Sequence, residues 1–77
     1  MNYSQDFKNF MRDVILILKE NIIDLREKKM FADAEEKDYI AARLFSYYEI
    51  ISSIKNQLKE YNISETEIGL DELKDIL

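Results

Sequence analysis

Apolar side chains recur three and four positions apart between residues 7 and 25. At about 100° per residue this spacing places them on one side of an α-helix. We therefore expect a helix over residues 4–30. Its main apolar stripe consists of Phe7, Phe10, Met11, Val14, Ile17, Leu18, Ile22 and Leu25, with Ile15 at the margin.

A second apolar line on this helix points the other way. It consists of Leu16, Ile23 and Met30, which lie seven positions apart. Isolated apolar residues occur on the surface of many helices, and that is the simpler interpretation. The alternative is that the helix is covered on two sides, by its own chain and by a second element or subunit.

A second amphipathic pattern predicts a helix over residues 34–61. Its main stripe consists of Ile40, Ala41, Leu44, Tyr47, Tyr48, Ile51, Ile54 and Leu58. Tyr39, Ile50 and Tyr61 widen this stripe on one flank. The apolar arc then reaches about 200°, against about 100° for an ordinary surface helix. Because one antiparallel helix cannot cover such an arc, we expect a third segment or another subunit to contribute.

The charged stretch between the two stripes predicts a tight turn at residues 31–34. Lys28 and Lys29 suit the C-terminal end of one helix, where the helix dipole favours positive charge. Asp33 and Glu36 have the spacing of a capping box at the start of the next. Since neither glycine nor proline marks this turn, one unbroken helix through residue 61 is the alternative.

The end of the second helix is signalled at Asn62. Asparagine tolerates the left-handed conformation after the last helical turn, which lets Ile63 contact Leu58 in a Schellman ending. Ser64 and Glu67 then form a capping box for a third helical segment. The sequence therefore predicts a sharp reversal of the chain at residues 62–64.

The third segment, residues 65–77, is both acidic and apolar. We expect either one short helix or a turn up to Gly69 followed by a short helix from Asp71, because glycine inside a helix costs about 1 kcal/mol relative to alanine. Its five apolar residues must be buried. They would pack on the hairpin flank of Tyr39, Ile50 and Tyr61, or alternatively dock into a partner. These residues are Ile68, Leu70, Leu73, Ile76 and Leu77.

Length and composition limit the fold that these elements can form. A chain of 77 residues with one glycine and no proline is too short for two domains and too poor in turn residues for a sheet. We expect an all-α fold in a single domain, residues 1–77: an antiparallel two-helix hairpin plus a short C-terminal helix. The wide apolar arcs predict that two copies dimerise into an assembly like a four-helix bundle.

The chain contains no cysteine and no histidine, which removes disulfides, zinc sites and thiol or histidine catalysis. Glu20, Asp24 and Glu27 share one helix face, but a solvated surface explains them better than a metal site. We therefore expect no enzyme, no cofactor and no metal. The alternative is an enzyme or ligand-binding protein with a site built from arginine and carboxylates at a dimer interface.

The charge distribution bears on possible partners. The net charge is −5, and all of it falls in residues 60–77, where six carboxylates face Lys74 alone. A neutral body with an acidic end offers no surface for nucleic acid. No apolar run is long enough to cross a membrane and the start is not basic, so we expect a cytoplasmic protein. The isoleucine- and lysine-rich composition indicates a bacterial or phage source.

These observations favour a protein that acts through protein–protein interaction, by self-association or by binding and regulating a partner. An inhibitor or immunity-type role against a basic partner is the alternative that the acidic end supports. The candidate interface residues are Leu16, Ile23, Met30, Tyr39, Ile50, Tyr61, Leu73 and Ile76.

Overall fold

The computed structural model of the chain describes residues 3–76, and within them the fold is all-helical with no strand. Helix α1 spans Tyr3–Phe31 and helix α2 spans Ala34–Glu60. Two 3₁₀ segments follow, Glu65–Ile68 and Leu70–Ile76, which together with Ser64 and Gly69 form what we call the C-terminal segment. The predicted all-α fold and the helical hairpin are confirmed. The hairpin makes the molecule long and thin, 51 × 19 × 17 Å.

The turn between the helices is short and is closed by an aspartate. Only Ala32 and Asp33 separate α1 from α2, so the alternative of one unbroken helix is wrong. Asp33 has an extended backbone, and its Oδ1 accepts a hydrogen bond from the backbone N–H of Glu36 at 2.8 Å. This bond satisfies one of the free donors of the first helical turn. Lys28 and Lys29 lie in the last turn of α1 and complement its dipole.

The core is built from all three parts of the chain. Ten side chains are buried in it among the described residues, three from α1, four from α2 and three from the C-terminal segment. They are Ile15, Ile22, Leu25, Ile40, Leu44, Ile51, Leu58, Ile68, Leu70 and Leu73. The hairpin alone therefore does not complete the core.

The buried side of α1 differs from the predicted stripe. Ile15, predicted at the margin, is only 2% exposed, whereas Ile17, predicted inside the stripe, is 56% exposed. Phe7 and Phe10 are also exposed. The reason is that the C-terminal segment packs against α1 on the side next to Ile15, which moves the centre of the buried face towards that residue.

Helix α2 ends in the predicted Schellman motif. Asn62 adopts the left-handed conformation with φ 54°. The backbone N–H of Ile63 donates to the carbonyl of Leu58 at 3.0 Å, and the N–H of Asn62 donates to the carbonyl of Lys59 at 3.3 Å. These two bonds satisfy carbonyls that the helix leaves free and turn the chain back along α1.

The C-terminal segment divides at Gly69, as the second of the two predicted forms has it, but both of its pieces are 3₁₀-helices. Gly69, with φ 75°, separates the two. A 3₁₀-helix has three residues per turn, so residues spaced by three lie on one side of it. Leu70, Leu73 and Ile76 have that spacing; the first two are buried and Ile76 is partly buried. Leu77 lies outside the described residues.

The C-terminal segment packs mainly against α1, and this corrects the expected packing site. We predicted that it would cover the flank of Tyr39, Ile50 and Tyr61, yet all three side chains are exposed. Cationic side chains along α1 hold the segment instead. Lys8 pairs with Glu67 at 3.0 Å, and Arg12 Nε donates to the backbone carbonyl of the same residue at 3.0 Å.

The same line of cations continues towards the turn. Lys19 Nζ lies 4.0 Å from a carboxylate oxygen of Glu72, and the Arg26 guanidinium donates to the backbone carbonyl of Ile76. We call these four residues, Lys8, Arg12, Lys19 and Arg26, the basic line of α1. The acidic end of the chain lies along it. Part of its negative charge is neutralised within the molecule.

Candidate interaction surfaces

The hairpin leaves many large apolar side chains in contact with solvent. Soluble monomers rarely expose contiguous apolar patches larger than a few hundred Å², and larger patches mark interaction sites. The side chains concerned are Phe7, Phe10, Leu16, Ile17, Met30, Phe31, Tyr39, Phe45, Ile50 and Tyr61. Four of them line two separate grooves: Met30 lines one, and Phe7, Ile50 and Tyr61 line the other.

The first surface is a groove between the start of α1 and the end of α2. It encloses about 370 Å³. Its apolar walls are formed by Phe7, Met11, Ile50, Ile54, Leu58 and Tyr61. Its polar members, Ser53 and Gln57, carry no charge. We call it the apolar groove.

The exposed apolar surface continues from this groove along α1. At about 100° per residue, Phe10 and Ile17 lie on nearly the opposite side of α1 from Arg12, Lys19 and Arg26. The cations hold the C-terminal segment on their side. This exposed side of α1 therefore faces away from that segment, whereas the apolar groove extends to Ile63, directly before it.

The second surface lies at the turn end of the hairpin and encloses about 760 Å³. Its apolar members are Ile23, Met30, Leu44, Tyr48 and Ile76. Its charged members are Arg26, Glu27, Lys29 and Lys37, which leaves a formal excess of two positive charges. We call it the basic groove.

The candidate interface residues divide between these surfaces. Ile50 and Tyr61 line the apolar groove, and Ile23, Met30 and Ile76 line the basic groove. Leu16 and Tyr39 are exposed outside both, and the guanidinium of Arg43 lies 5.9 Å from the centre of the Tyr39 ring. Leu73 is 0% exposed and belongs to the core, so in this structure it offers no surface to a partner.

Two features of the surfaces were missed from the sequence. Phe7, Phe10 and Ile17 were counted as core, although they are exposed. The basic line of α1 was also overlooked. Its members Lys8, Arg12, Lys19 and Arg26 recur at spacings of four and seven, and such a line opposite an acidic segment is the signal that would have placed residues 65–76 on α1.

The capping box at the start of the C-terminal segment fixes one carboxylate firmly. Ser64 donates its backbone N–H to Glu67 Oε2 at 2.7 Å, and its hydroxyl lies 3.2 Å from the same oxygen. The Ser64 backbone bond, together with the neighbouring Lys8 ammonium, holds the pKa of the Glu67 carboxyl below its usual range. Glu67 is therefore engaged in holding the fold and is not a free acid.

The arginines and carboxylates that could form a catalytic or ligand-binding site have separate partners in the fold. Arg12 and Arg26 hold backbone carbonyls of the C-terminal segment. Asp24, from the acidic helix face, pairs with Lys28 at 2.9 Å. Among the side chains that the structure describes, no three acidic ones come close enough together to hold a metal ion. Over residues 3–76, neither long helix is apolar enough to span a bilayer.

The chain matches no protein-family model, no curated protein and no solved structure in comparisons of its sequence and fold.

Proposed function

We propose that this chain is a non-enzymatic protein-interaction module whose working form is a homodimer. A second copy covers the apolar groove, so that the α1 and α2 helices of both copies form a four-helix bundle. The observation that carries this proposal is the groove itself: apolar walls with exposed aromatic and aliphatic side chains and no charged residue among its lining.

The exposed area is large enough for one further interface of ordinary size. A globular monomer of 9.2 kDa exposes about 4,900 Å² by the usual scaling of surface with mass. This chain exposes 5786 Å², which is an excess of about 900 Å². A standard interface removes about 800 Å² from each partner. One interface of ordinary size would therefore bring the chain back to the surface expected of a compact protein.

The chemistry of the groove favours a second copy as this partner. In a two-fold symmetric dimer the same patch meets itself, so a patch with an excess of one charge sign would repel its copy. The lining of the apolar groove carries no charge, so self-pairing brings no repulsion within the groove. Burying Phe7, Ile50 and Tyr61 in this way would also cover two of the three flank residues that the C-terminal segment leaves exposed, while Tyr39 lies outside the groove.

The other hypotheses from the sequence have less support. Arg12 and Arg26 hold the C-terminal segment, and neither lines the apolar groove that the proposed interface covers. A site of arginine and carboxylates at that interface would lack both. An inhibitor of a basic partner would use the acidic end of the chain, but two of its carboxylates are paired with Lys8 and Lys19.

Light scattering after size exclusion tests the proposal. At about 100 µM the chain should give about 18 kDa, twice the 9.2 kDa of one copy. Ile50→Glu places a charge in the apolar groove and should give the monomer mass. Phe45→Glu is the matched control, because Phe45 is also exposed on α2 but lies outside the groove. It should stay dimeric.

Two outcomes would overturn the homodimer. One is a 9.2 kDa mass for the unmodified chain together with a cooperative melt. The other is an equal loss of mass in Ile50→Glu and Phe45→Glu, which would mean that association does not use the groove. Circular dichroism of both variants checks that each is folded, since neither position is part of the buried core.

A further inference from the structure

We propose that the basic groove is a docking site for an acidic amphipathic helical segment of a partner protein. This site lies at the turn end of the hairpin and shares no lining residue with the apolar groove. It is therefore a second interface, independent of the proposed homodimer.

The groove combines apolar anchors with positive charge. Ile23, Met30 and Tyr48 supply apolar surface, of which Met30 is the most exposed at 74%. Lys29 from α1 and Lys37 from α2 lie on either side of the turn between the helices. Within the described residues neither lysine has a carboxylate partner among the ion pairs, so both ammonium groups are available to one.

The C-terminal segment of the chain is an example of a ligand bound by apolar and basic side chains together. The C-terminal segment buries Ile68, Leu70 and Leu73 against the hairpin, while its carboxylates pair with Lys8 and Lys19 along its edge. An acidic segment with apolar residues on one side is therefore the kind of ligand that this face of α1 holds.

The basic groove continues the same surface. Ile76, near the end of the C-terminal segment, lines the groove, and so does Arg26, which binds the Ile76 carbonyl. Beyond them the surface still carries apolar and basic side chains up to the turn. A second acidic segment entering there would meet the same chemistry that holds the first, with carboxylates directed to Lys29 and Lys37.

Charge complementarity also separates this ligand from others. A polyanion such as nucleic acid would find positive charge locally, but the chain as a whole carries −5, and more than half of the residues lining the groove are apolar. An amphipathic helix instead offers leucine-like side chains to the apolar residues and carboxylates to the lysines. Such helices dock through residues spaced at i, i+3, i+4 and i+7.

Fluorescence anisotropy with a labelled synthetic peptide tests the proposal. The probe is a helix of about 14 residues, about 21 Å long, with leucine at the anchor spacing and glutamate on the other side. The comparison peptide has lysine at each glutamate position. The full chain should bind the glutamate peptide, and binding should weaken as salt is raised from about 20 to 200 mM. The lysine peptide should not bind.

Two matched variants locate the site. Lys37→Glu reverses a charge in the basic groove and should weaken binding of the glutamate peptide by about fivefold or more at low salt. Lys59→Glu makes the same change at another exposed position of α2, outside the groove, and should change binding by less than about twofold. Melting curves of both variants confirm folding. Ile50→Glu should bind the peptide normally, whatever its oligomeric state.

Three results would overturn the docking site: equal binding of both peptides, equal losses in Lys37→Glu and Lys59→Glu, or no binding at low salt. Vesicles containing phosphatidylglycerol serve as a further arm. Binding to these vesicles that is lost in Lys37→Glu, with no binding of the glutamate peptide, would assign the groove to an anionic lipid surface and refute the protein ligand.

Discussion

Replacing Leu73 by alanine tests whether the C-terminal segment is an integral part of the fold. Leu73 is 0% exposed in the core shared by this segment and the hairpin. A fully buried leucine loses about 2–5 kcal/mol on truncation to alanine, because apolar contacts are lost and a cavity remains. We expect Leu73→Ala to lower the free energy of unfolding by about 3 kcal/mol.

That loss is large for a chain of this length. A domain of 77 residues has a total stability of about 4–12 kcal/mol. In so small a domain, 1 kcal/mol corresponds to about 4–8 °C in melting temperature. Leu73→Ala should therefore melt about 12–24 °C below the unmodified chain.

The assay is urea unfolding followed by circular dichroism, with all proteins at one fixed concentration, because self-association would add a concentration-dependent contribution. Leu16→Ala is the control. It removes the same atoms from a side chain that is 50% exposed, and should cost less than about 0.5 kcal/mol. If Leu73→Ala costs no more than Leu16→Ala, the C-terminal segment does not pack on α1 and the core described above is wrong.

Two further predictions concern the same segment. Because the pKa of Glu67 is lowered in the folded chain, its stabilising effect is present above the unfolded pKa and is lost as the pH falls through the folded pKa. Urea unfolding at about pH 6 and pH 3 should thus show that the free energy of unfolding falls less between these pH values in Glu67→Gln than in the unmodified chain. Equal falls would contradict this. Gly69→Ala should cost about 1 kcal/mol, because φ is 75° and an alanine there is strained, although its Cβ would meet no atom within 4 Å. Gly69→Asn, which tolerates this conformation better, should cost less in the same assay, and a larger loss in Asn would refute the backbone explanation.

The local signals in the sequence were reliable where a residue ends or caps a helix through its own side chain or backbone preference. Asn62 indicated that α2 ends in a left-handed residue, and it does. Ile63 was expected next to Leu58, and its backbone N–H donates to the Leu58 carbonyl. Asp33 predicted the start of α2, although neither glycine nor proline marked the turn. In each case the side chain or the backbone preference of the residue itself determines the structure, so no knowledge of distant contacts was needed.

The packing of the third segment could not be predicted in this way. Residues 14–18 are all apolar, so periodicity does not determine whether Ile15 or Ile17 faces the core. That choice depends on which side of α1 the C-terminal segment occupies, and the sequence signal for that side is the line of cations Lys8, Arg12, Lys19 and Arg26. The basic line of α1 attracts the acidic segment, whereas the flank of Ile50 and Tyr61 has apolar surface but no line of cations. The apolar groove is open for the same reason.

The bonds between α1 and the C-terminal segment also determine when the protein can fold during its synthesis. Arg12 binds a carbonyl 55 residues further along the chain, and Arg26 binds one 50 residues further along. Helix α1 leaves the ribosome first, but its Ile15 side stays uncovered until residues 65–76 have emerged. A simple helical hairpin forms from contacts that are close along the chain and folds fast. This chain cannot complete its core until its distant segment has been made. During synthesis the isoleucines of α1 therefore stay exposed for longer than the small size of the domain suggests.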